Sequence, residues 1–328
     1  MKYILKRLIF FLVTAWTALS INFILPRLMP GSPAEVMIAK FQGHLNPQAI
    51  RALEIAFGIN VKQSLFLQYV EYIKRSFTGN FGLSVSFFPT PVSHVLANAI
   101  PWTIGLVGIC TIIAFLLGTI LGIRTSWKRS SISSGIAVPV ALFLSSMPYF
   151  WFALLIIYLF AFKLGWFPLR GAYSTNISAM VGLPLIGSIL YHAILPALTI
   201  IITAIGGWLL TMRNNMITVL SEDYVIFAHA KGLPEKIIEY KYAARNAMLP
   251  SFTGFAMAIG FVISGAIMTE VVFSYPGVGY LLYQSVLNID YPLMQAIFLF
   301  ITFAVLTANL IADLVYVFLD PRVRVGAE

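Results

Sequence analysis

Apolar residues in this chain fall into long unbroken blocks rather than into the fine alternation of a half-buried strand. A helix needs about 20 consecutive apolar residues to cross the hydrocarbon of a bilayer. Six blocks meet that length: residues 8–29, 100–123, 135–162, 192–212, 252–273 and 292–319. The pattern therefore predicts an all-α membrane protein with six transmembrane helices. The uncharged stretch 171–212 is long enough for more than one span. However, 171–187 is interrupted by Pro184 and rich in Ser, Thr, Asn and Gly, and it reads as a loop, with a re-entrant loop as the alternative. The segment 30–99 carries Pro, Gly and Asn punctuation and short amphipathic stretches at 48–57 and 65–73, which predicts a small helical piece on the outer face. The organisation that follows is a first helix plus an extracytoplasmic helical segment (residues 1–93), then a core of five spans (94–328) with a cytoplasmic loop at about 213–250.

Composition agrees with the blocks. Of 328 residues 59% are hydrophobic and 10% charged, which is too little polar surface to cover a soluble fold of this length. A soluble enzyme, a disordered chain and a nucleic-acid binder are excluded on that ground. The net charge of +9 is explained by topology. Lys2, Lys6 and Arg7 precede the first block, Arg124, Lys128 and Arg129 follow the second, Arg213, Lys231, Lys236, Lys241 and Arg245 follow the fourth, and Arg322 and Arg324 follow the sixth. With six spans these groups share one side, and by the positive-inside rule both termini are cytoplasmic. On the opposite side Lys163 and Arg170 lie between the third and fourth blocks and no Lys or Arg between the fifth and sixth, while residues 30–99, with Lys40, Arg51, Lys62, Lys74 and Arg75, are longer than the loops to which the rule applies. A cleaved signal peptide is the alternative for the N-terminus, but the first apolar run is longer than a signal core and ends in Leu25-Pro26-Arg27.

Candidate chemistry is sparse. The single cysteine, Cys110, lies inside an apolar block, so there is no disulfide framework. His94, His192 and His229 are scattered and predict no metal site. No nucleophile elbow, zinc motif, phosphate-binding loop or dinucleotide fingerprint is present, so no catalytic residue is expected. Glu270 and Asp313 are the acidic residues within or at the ends of spans, which makes them candidates for function. Helix-end solvation or an ion pair is the plainer reading for both. Trp151, Trp166, Glu270 and Tyr275 are candidate pathway or gate residues near the outer ends. Small residues recur at four-residue spacing in the fifth block (Gly254 with Ala258, Ala256 with Gly260, Gly260 with Ser264), and the fourth holds Gly206 and Gly207. Such faces suit either internal packing or a subunit seam.

The loop between the fourth and fifth blocks is too ordered for a connector. It predicts a first short helix over 222–231 stopped by Gly232, and a second opening with Pro234 at its first position and Glu235 in its first turn. The second helix puts Ile237, Tyr240 or Lys241, Ala244 and Met248 on one stripe and ends at Pro250. Small alanines before Gly232 leave a smooth surface for another protein; the alternative is an interfacial helix on lipid headgroups. Mixed charges at Lys236, Glu239 and Lys241 fit a protein partner better.

Ala228-x-Ala230-x-Gly232, followed by Leu249-Pro250 at the expected offset, resembles the EAA loop of ATP-binding cassette (ABC) importer permeases, with Phe227 in place of the first Glu. Glu222-Asp223-Tyr224, Ala230-Lys231-Gly232-Leu233 and Arg245-Asn246-Ala247-Met248-Leu249-Pro250 are similar to the dipeptide, oligopeptide and nickel branch. So are Met29-Pro30-Gly31-Ser32-Pro33, Gly79-Asn80-Phe81-Gly82-Leu83-Ser84, Ser146-Met147-Pro148-Tyr149-Phe150-Trp151, the run from Glu270 to Gly279, and Asp320-Pro321-Arg322. The long segment after the first span resembles the B-type subunit. The resemblance implies a type I importer permease fold and a non-catalytic subunit. It implies a second, C-type permease completing the pathway, two cytoplasmic ATPases that bind ATP and Mg, and an extracytoplasmic substrate-binding protein. Glu222, Ala228, Ala230, Lys231, Gly232, Leu233, Arg245, Leu249 and Pro250 would then form the ATPase-coupling surface. Similar permeases carry dipeptides, longer peptides, nickel chelates or oligosaccharides. A secondary transporter acting without ATP is the alternative of another class, disfavoured by the shortage of buried charge and the lack of an inverted repeat.

Overall fold

The computed structural model describes residues 2–31, 36, 63–177, 182–262 and 266–319. The amphipathic stretch 48–57, Ser32-Pro33, the Asp313 side chain and Asp320-Pro321-Arg322 lie outside them. In chain order the helices are α1 (Lys2–Leu28), α2 (Leu65–Thr78), α3 (Val92–Thr103), α4 (Ile109–Trp127), α5 (Ile132–Ser146), α6 (Tyr149–Ile156), α7 (Leu183–Leu220), α8 (Asp223–Ala230), α9 (Glu235–Ile237), α10 (Arg245–Phe261), α11 (Ile267–Val272), α12 (Val278–Leu287) and α13 (Tyr291–Leu319). A π-helical turn, Ile104–Gly108, joins α3 to α4; another, Ile157–Lys163, extends α6; a third, Ile238–Ala244, joins α9 to α10. Among the described residues there is no strand beyond an isolated bridge between Leu83 and Pro91.

Among the described residues four helices are long and apolar enough to cross a membrane: Arg7–Leu28, Val92–Trp127, Leu183–Leu220 and Tyr291–Ile311. The pair α5 and α6 is a fifth if counted as one broken span. Three expectations change here. The block 135–162 is not a straight helix but bends by 98° between α5 and α6. Pro148 has no N–H to give and forces the preceding Met147 out of the helical region, to φ −79°, ψ 127°. The block 252–273 is covered by α10 only to Phe261; residues 263–265 are outside the described set and α11 resumes at Ile267. The stretch 171–187 is a loop only in its first part, because α7 begins at Leu183 with Pro184 in its first turn, where a missing N–H costs nothing. α7 has 38 residues, about 57 Å at 1.5 Å per residue, well beyond the expected 192–212.

The chain divides into two units. In the first, α1 meets α13: the Asn22 amide donates to the Gln295 carbonyl at 2.8 Å, and the Gln295 amide returns to the Asn22 carbonyl at 3.3 Å. α2 docks on α1 through polar contacts, Tyr69 with Ser20 and the Asn22 amide to the Tyr72 hydroxyl. Its core joins Val92, Leu96 and Ala99 of α3 to Val278 and Leu281 of α12 and to Leu293, Met294 and Ile297 of α13. Asp290, fully buried before α13, accepts from the Ser84 hydroxyl (2.5 Å), the Ser86 N–H (2.9 Å) and the Leu293 N–H (3.2 Å). It thus caps α13 and fixes the loop before α3 with one carboxylate.

In the second unit α7 is the axis on which α4, α5, α6 and α10 pack. α4 and α7 approach closely. A Cβ on Gly118 would lie 2.5 Å from the Trp208 Cβ, and one on Gly122 would lie 2.7 Å from the Leu209 carbonyl. Gly206 meets Ala141 of α5 in the same way, so it serves internal packing, whereas Gly207 faces open space.

Candidate functional site

The predicted helix pair is present between α7 and α10. α8 opens after Glu222, whose backbone carbonyl accepts from Val225 N–H (2.9 Å) and Ile226 N–H (3.2 Å). It closes on Gly232, at φ +71°. Gly232 N–H donates to the His229 carbonyl (2.9 Å) and Leu233 N–H to the Ala228 carbonyl (3.4 Å). This is the paired bonding of a Schellman stop, which needs a left-handed residue at the Gly232 position. Leu233 then folds back on Val225 and Ala228, completing the apolar contact that accompanies such stops.

Below the turn, Val225, Ala228 and Ile238 form a small core with Trp127 of α4, Val219 and Leu220 of α7, Leu233 and Tyr242. The His229 ring stacks on Trp127 with centroids 6.1 Å apart. A second cluster, Ile123, Met212, Met216, Ala243, Ala244 and Ala247, fixes the next stretch to α4 and α7. Asn215 of α7 donates its amide to the Ala247 carbonyl (3.2 Å) and the Ser251 hydroxyl (3.1 Å), which clamps the start of α10. The surface is therefore anchored on the end of the longest helix in the chain. Partial burial raises the Glu239 carboxyl above its usual range, while Lys128 and Arg124 pull it down.

Of the expected coupling residues, Glu222, Ala230, Lys231, Gly232, Arg245, Leu249 and Pro250 are exposed, Leu233 is half-buried and Ala228 is buried. Ala228 supports the surface from below rather than forming part of it. Among the described residues no ion pair involves Glu222, Lys231 or Arg245. Lys231 instead holds its ammonium 4.6 Å over the Phe227 ring. The second helix departs from expectation twice. Pro234 is the residue before its first turn, not the first residue. Pro250 does not end it, because the helix runs on from Arg245 through Pro250 to Phe261. The π turn also shifts the buried stripe to Ile238, Ala243, Ala244 and Ala247, leaving Tyr240 and Lys241 outside.

Apolar side chains missing from the sequence-based set complete the outer face. Tyr224, Ile226 and Phe227 are 39%, 56% and 61% exposed on α8, beside the polar Glu222 and Lys231. A run of apolar residues on a helix without a helical repeat was the available signal, since it leaves some of them facing outward. The face can bind an apolar groove edged with charge. Among the described residues no group of three or more His, Cys, Asp or Glu could hold a metal ion.

The gate candidates are separated in character. Trp151 on α6 and Trp166 beyond it are exposed. Glu270 is fully buried on α11, which corrects the helix-end solvation expected for it. Tyr275 is also buried, and its N–H donates to the Glu270 carbonyl at 2.8 Å.

Residues 114–325 match the family described as binding-protein-dependent transport system inner membrane component. Across nearly the whole of both chains the protein is similar to curated permeases. It is 31% identical to a di/tripeptide transport system permease protein of Pseudomonas aeruginosa, over 99% of each chain. It is 31% identical to an oligopeptide transport system permease protein of Bacillus subtilis, over 98% of this chain and 99% of the relative. It is 30% identical to a glutathione transport system permease protein of Escherichia coli, over 99% of each. The matched region contains the Schellman-stopped loop and the helices that anchor it, and the chain accordingly belongs to the binding-protein-dependent inner membrane components, the permease family of ABC importers.

Proposed function

We propose that this chain is a pathway-forming, non-catalytic subunit of an ATP-driven importer of short peptides in a prokaryotic cell membrane. It spans the membrane six times with both termini in the cytoplasm, the side marked by Lys2, Lys6, Arg7 and the loop after α7. A second permease completes the route, two ATPase subunits bind ATP and Mg below it, and an external binding protein delivers the cargo. The peptide names of full-length relatives support the substrate class. The observation that carries the coupling role is the exposed Tyr224, Ile226 and Phe227 face, held by the Gly232 stop onto the end of α7. ATP binding can favour one permease conformation only through contacts that differ between states, and this face is where such contacts are made.

The test is reconstitution of the complex in lipid. The ATPase pair is expected to copurify with the chain, and loaded binding protein to stimulate ATP hydrolysis. Gly232→Asp places a side chain and a charge at a left-handed position within the face. The variant should reach the membrane normally and lose the stimulation. Full stimulation in Gly232→Asp, or purification of a transport-competent chain without ATPases, overturns the reading.

A further inference from the structure

α2 turns its apolar residues away from the rest of the chain. Phe66, Val70 and Phe77 are 72%, 48% and 76% exposed, and with the half-buried Ile73 they form one stripe at helical spacing. The contacts with α1 fall on polar side chains instead. The Arg27 guanidinium donates to the Gln68 Oε1 (3.0 Å), the Asn22 amide donates to the Tyr72 hydroxyl (2.9 Å), and the Ser20 and Tyr69 hydroxyls share a hydrogen bond (2.7 Å). A helix on a water-soluble fold has the reverse arrangement.

These contacts set the level of α2. Arg7 and Arg27 bracket about 30 Å of α1, the thickness of a hydrocarbon core. Asn22 and Ser20 lie about 8 and 10 Å inside the Arg27 end. Interfacial helices bury their apolar face to a similar depth, about 5–10 Å into the boundary between headgroups and acyl chains.

The same contacts set the direction of the stripe. At about 100° per residue, Gln68, Tyr72 and Tyr69 follow one another round α2 at about 0°, 40° and 100°. Their partners Arg27, Asn22 and Ser20 descend α1 in that order. The order follows angle and not sequence, so α2 lies across α1, and turning from Gln68 toward Tyr69 leads into the membrane. Next round the helix in that direction come Ile73, Phe66, Phe77 and Val70, at about 140–200°. The stripe therefore faces the hydrocarbon. Glu71 and Arg75, at about 300° and 340°, pair with each other on the side toward water. Beneath α2, the face of α1 that carries Ser20 continues through the exposed Trp16, Val13 and Ile9. That face is bulky and apolar, without the small residues that let a second membrane helix pack closely.

We infer that α2 is an interfacial anchor in the outer leaflet, with Phe66, Val70, Ile73 and Phe77 resting on lipid acyl chains that fill the corner against Trp16 and Val13. The exposed Lys74, at about 240°, stands between the stripe and the water side, at the level of the lipid phosphates. From the Gly79 stop the chain runs on to Ser84 and Ser86 on Asp290, so lipid at one end and a buried carboxylate at the other hold the stretch between them. The inference rests on the cytoplasmic N-terminus proposed above, which makes Arg27 the outer end of α1.

Fluorescence quenching decides it, in the assembled complex reconstituted into phosphatidylcholine–phosphatidylglycerol vesicles. On a Cys110→Ala background, Phe66→Cys, Phe77→Cys and the water-side Thr78→Cys are each labelled with bimane. Lipid bearing a nitroxide near the top of its acyl chain should quench the two stripe positions several-fold more than Thr78→Cys. Dissolved iodide should quench Thr78→Cys several-fold more than the stripe. Iodide quenching that is equal at all three positions overturns the inference and puts the helix in water. Stripe labels that neither quencher reaches also overturn it and put protein, such as the second permease, over the stripe. Sidedness is read separately, from Thr78→Cys in intact spheroplasts with a membrane-impermeant maleimide. Reaction only after the cells are opened counts against the proposed topology, whereas reaction from outside with a stripe shielded from lipid rejects only the anchor.

Discussion

Asp290 shows how much one side chain can hold. Its carboxylate accepts from Ser84, Ser86 and Leu293 while fully buried, so it joins a loop and a helix that are about 200 residues apart in sequence. Asp290→Ala would orphan those donors at about 1–3 kcal/mol each if no water replaces it. A clear drop in the melting temperature of the solubilised protein is expected, with Asp290→Asn intermediate because it keeps one carbonyl acceptor. Nothing local in the sequence marked this residue, since its partners come from another part of the chain. Gly232 was legible for the opposite reason: a helix stop is written in neighbouring residues. Small-residue spacing does not mark Ile226 and Phe227, although their exposed side chains are what a docked partner would meet. Ile226→Asp and Phe227→Asp leave the interior untouched and should release the ATPase pair during purification. Retention of the pair in the double variant would move the docking site elsewhere.

At the scale of helices, length and apolar content predicted α1 and α13 closely, because hydropathy alone sets them, while the second block, expected over 100–123, extends to Val92–Trp127. Bends and register were not visible. The 98° turn hides in an apolar run whose only sign is Met147-Pro148, and a proline within a span is as often accommodated as it is a break. The π turn at Ile238–Ala244 inserts an extra residue into the helical repeat, so a stripe drawn at 3.6 residues per turn slips past Ile238. The α4–α7 contact was missed as well. The four-residue spacing of small residues points to the fourth and fifth blocks, while Gly118 and Gly122 carry the close approach of α4 to α7. Gly118→Val would drive a branched side chain into Trp208 and the Ile205 carbonyl. Overpacking of this kind costs about 1–3 kcal/mol or more, and low membrane yield with a lowered melting temperature is expected. The same change at Gly207, which meets open space, should leave both measures near those of the parent.

For the molecule as a whole, the family was readable because ordered motifs run along nearly the full chain. The grouping of α1 with α13 was not, because residues 22 and 295 are joined only by the fold. α7 has a further consequence. It is one unbroken helix of about 57 Å, longer than the thickness of a bilayer's hydrocarbon, with the proposed coupling surface packed on its last turns. Such a rod converts angle into distance: a tilt of about 10° around its middle carries each end about 5 Å, about one helical turn. Its stiffness can be lowered without disturbing packed faces, through Asn214→Gly with Thr218→Gly, both exposed, at about 1 kcal/mol each. The ATPases should still bind and hydrolyse ATP in that double variant, while cargo moved per ATP falls several-fold; an unchanged ratio would mean that force reaches the membrane by another helix. In mechanical terms the proposed coupling would make α7 a lever whose short arm is the end that carries the loop, with its gain set by how many residues α7 keeps in one continuous helix.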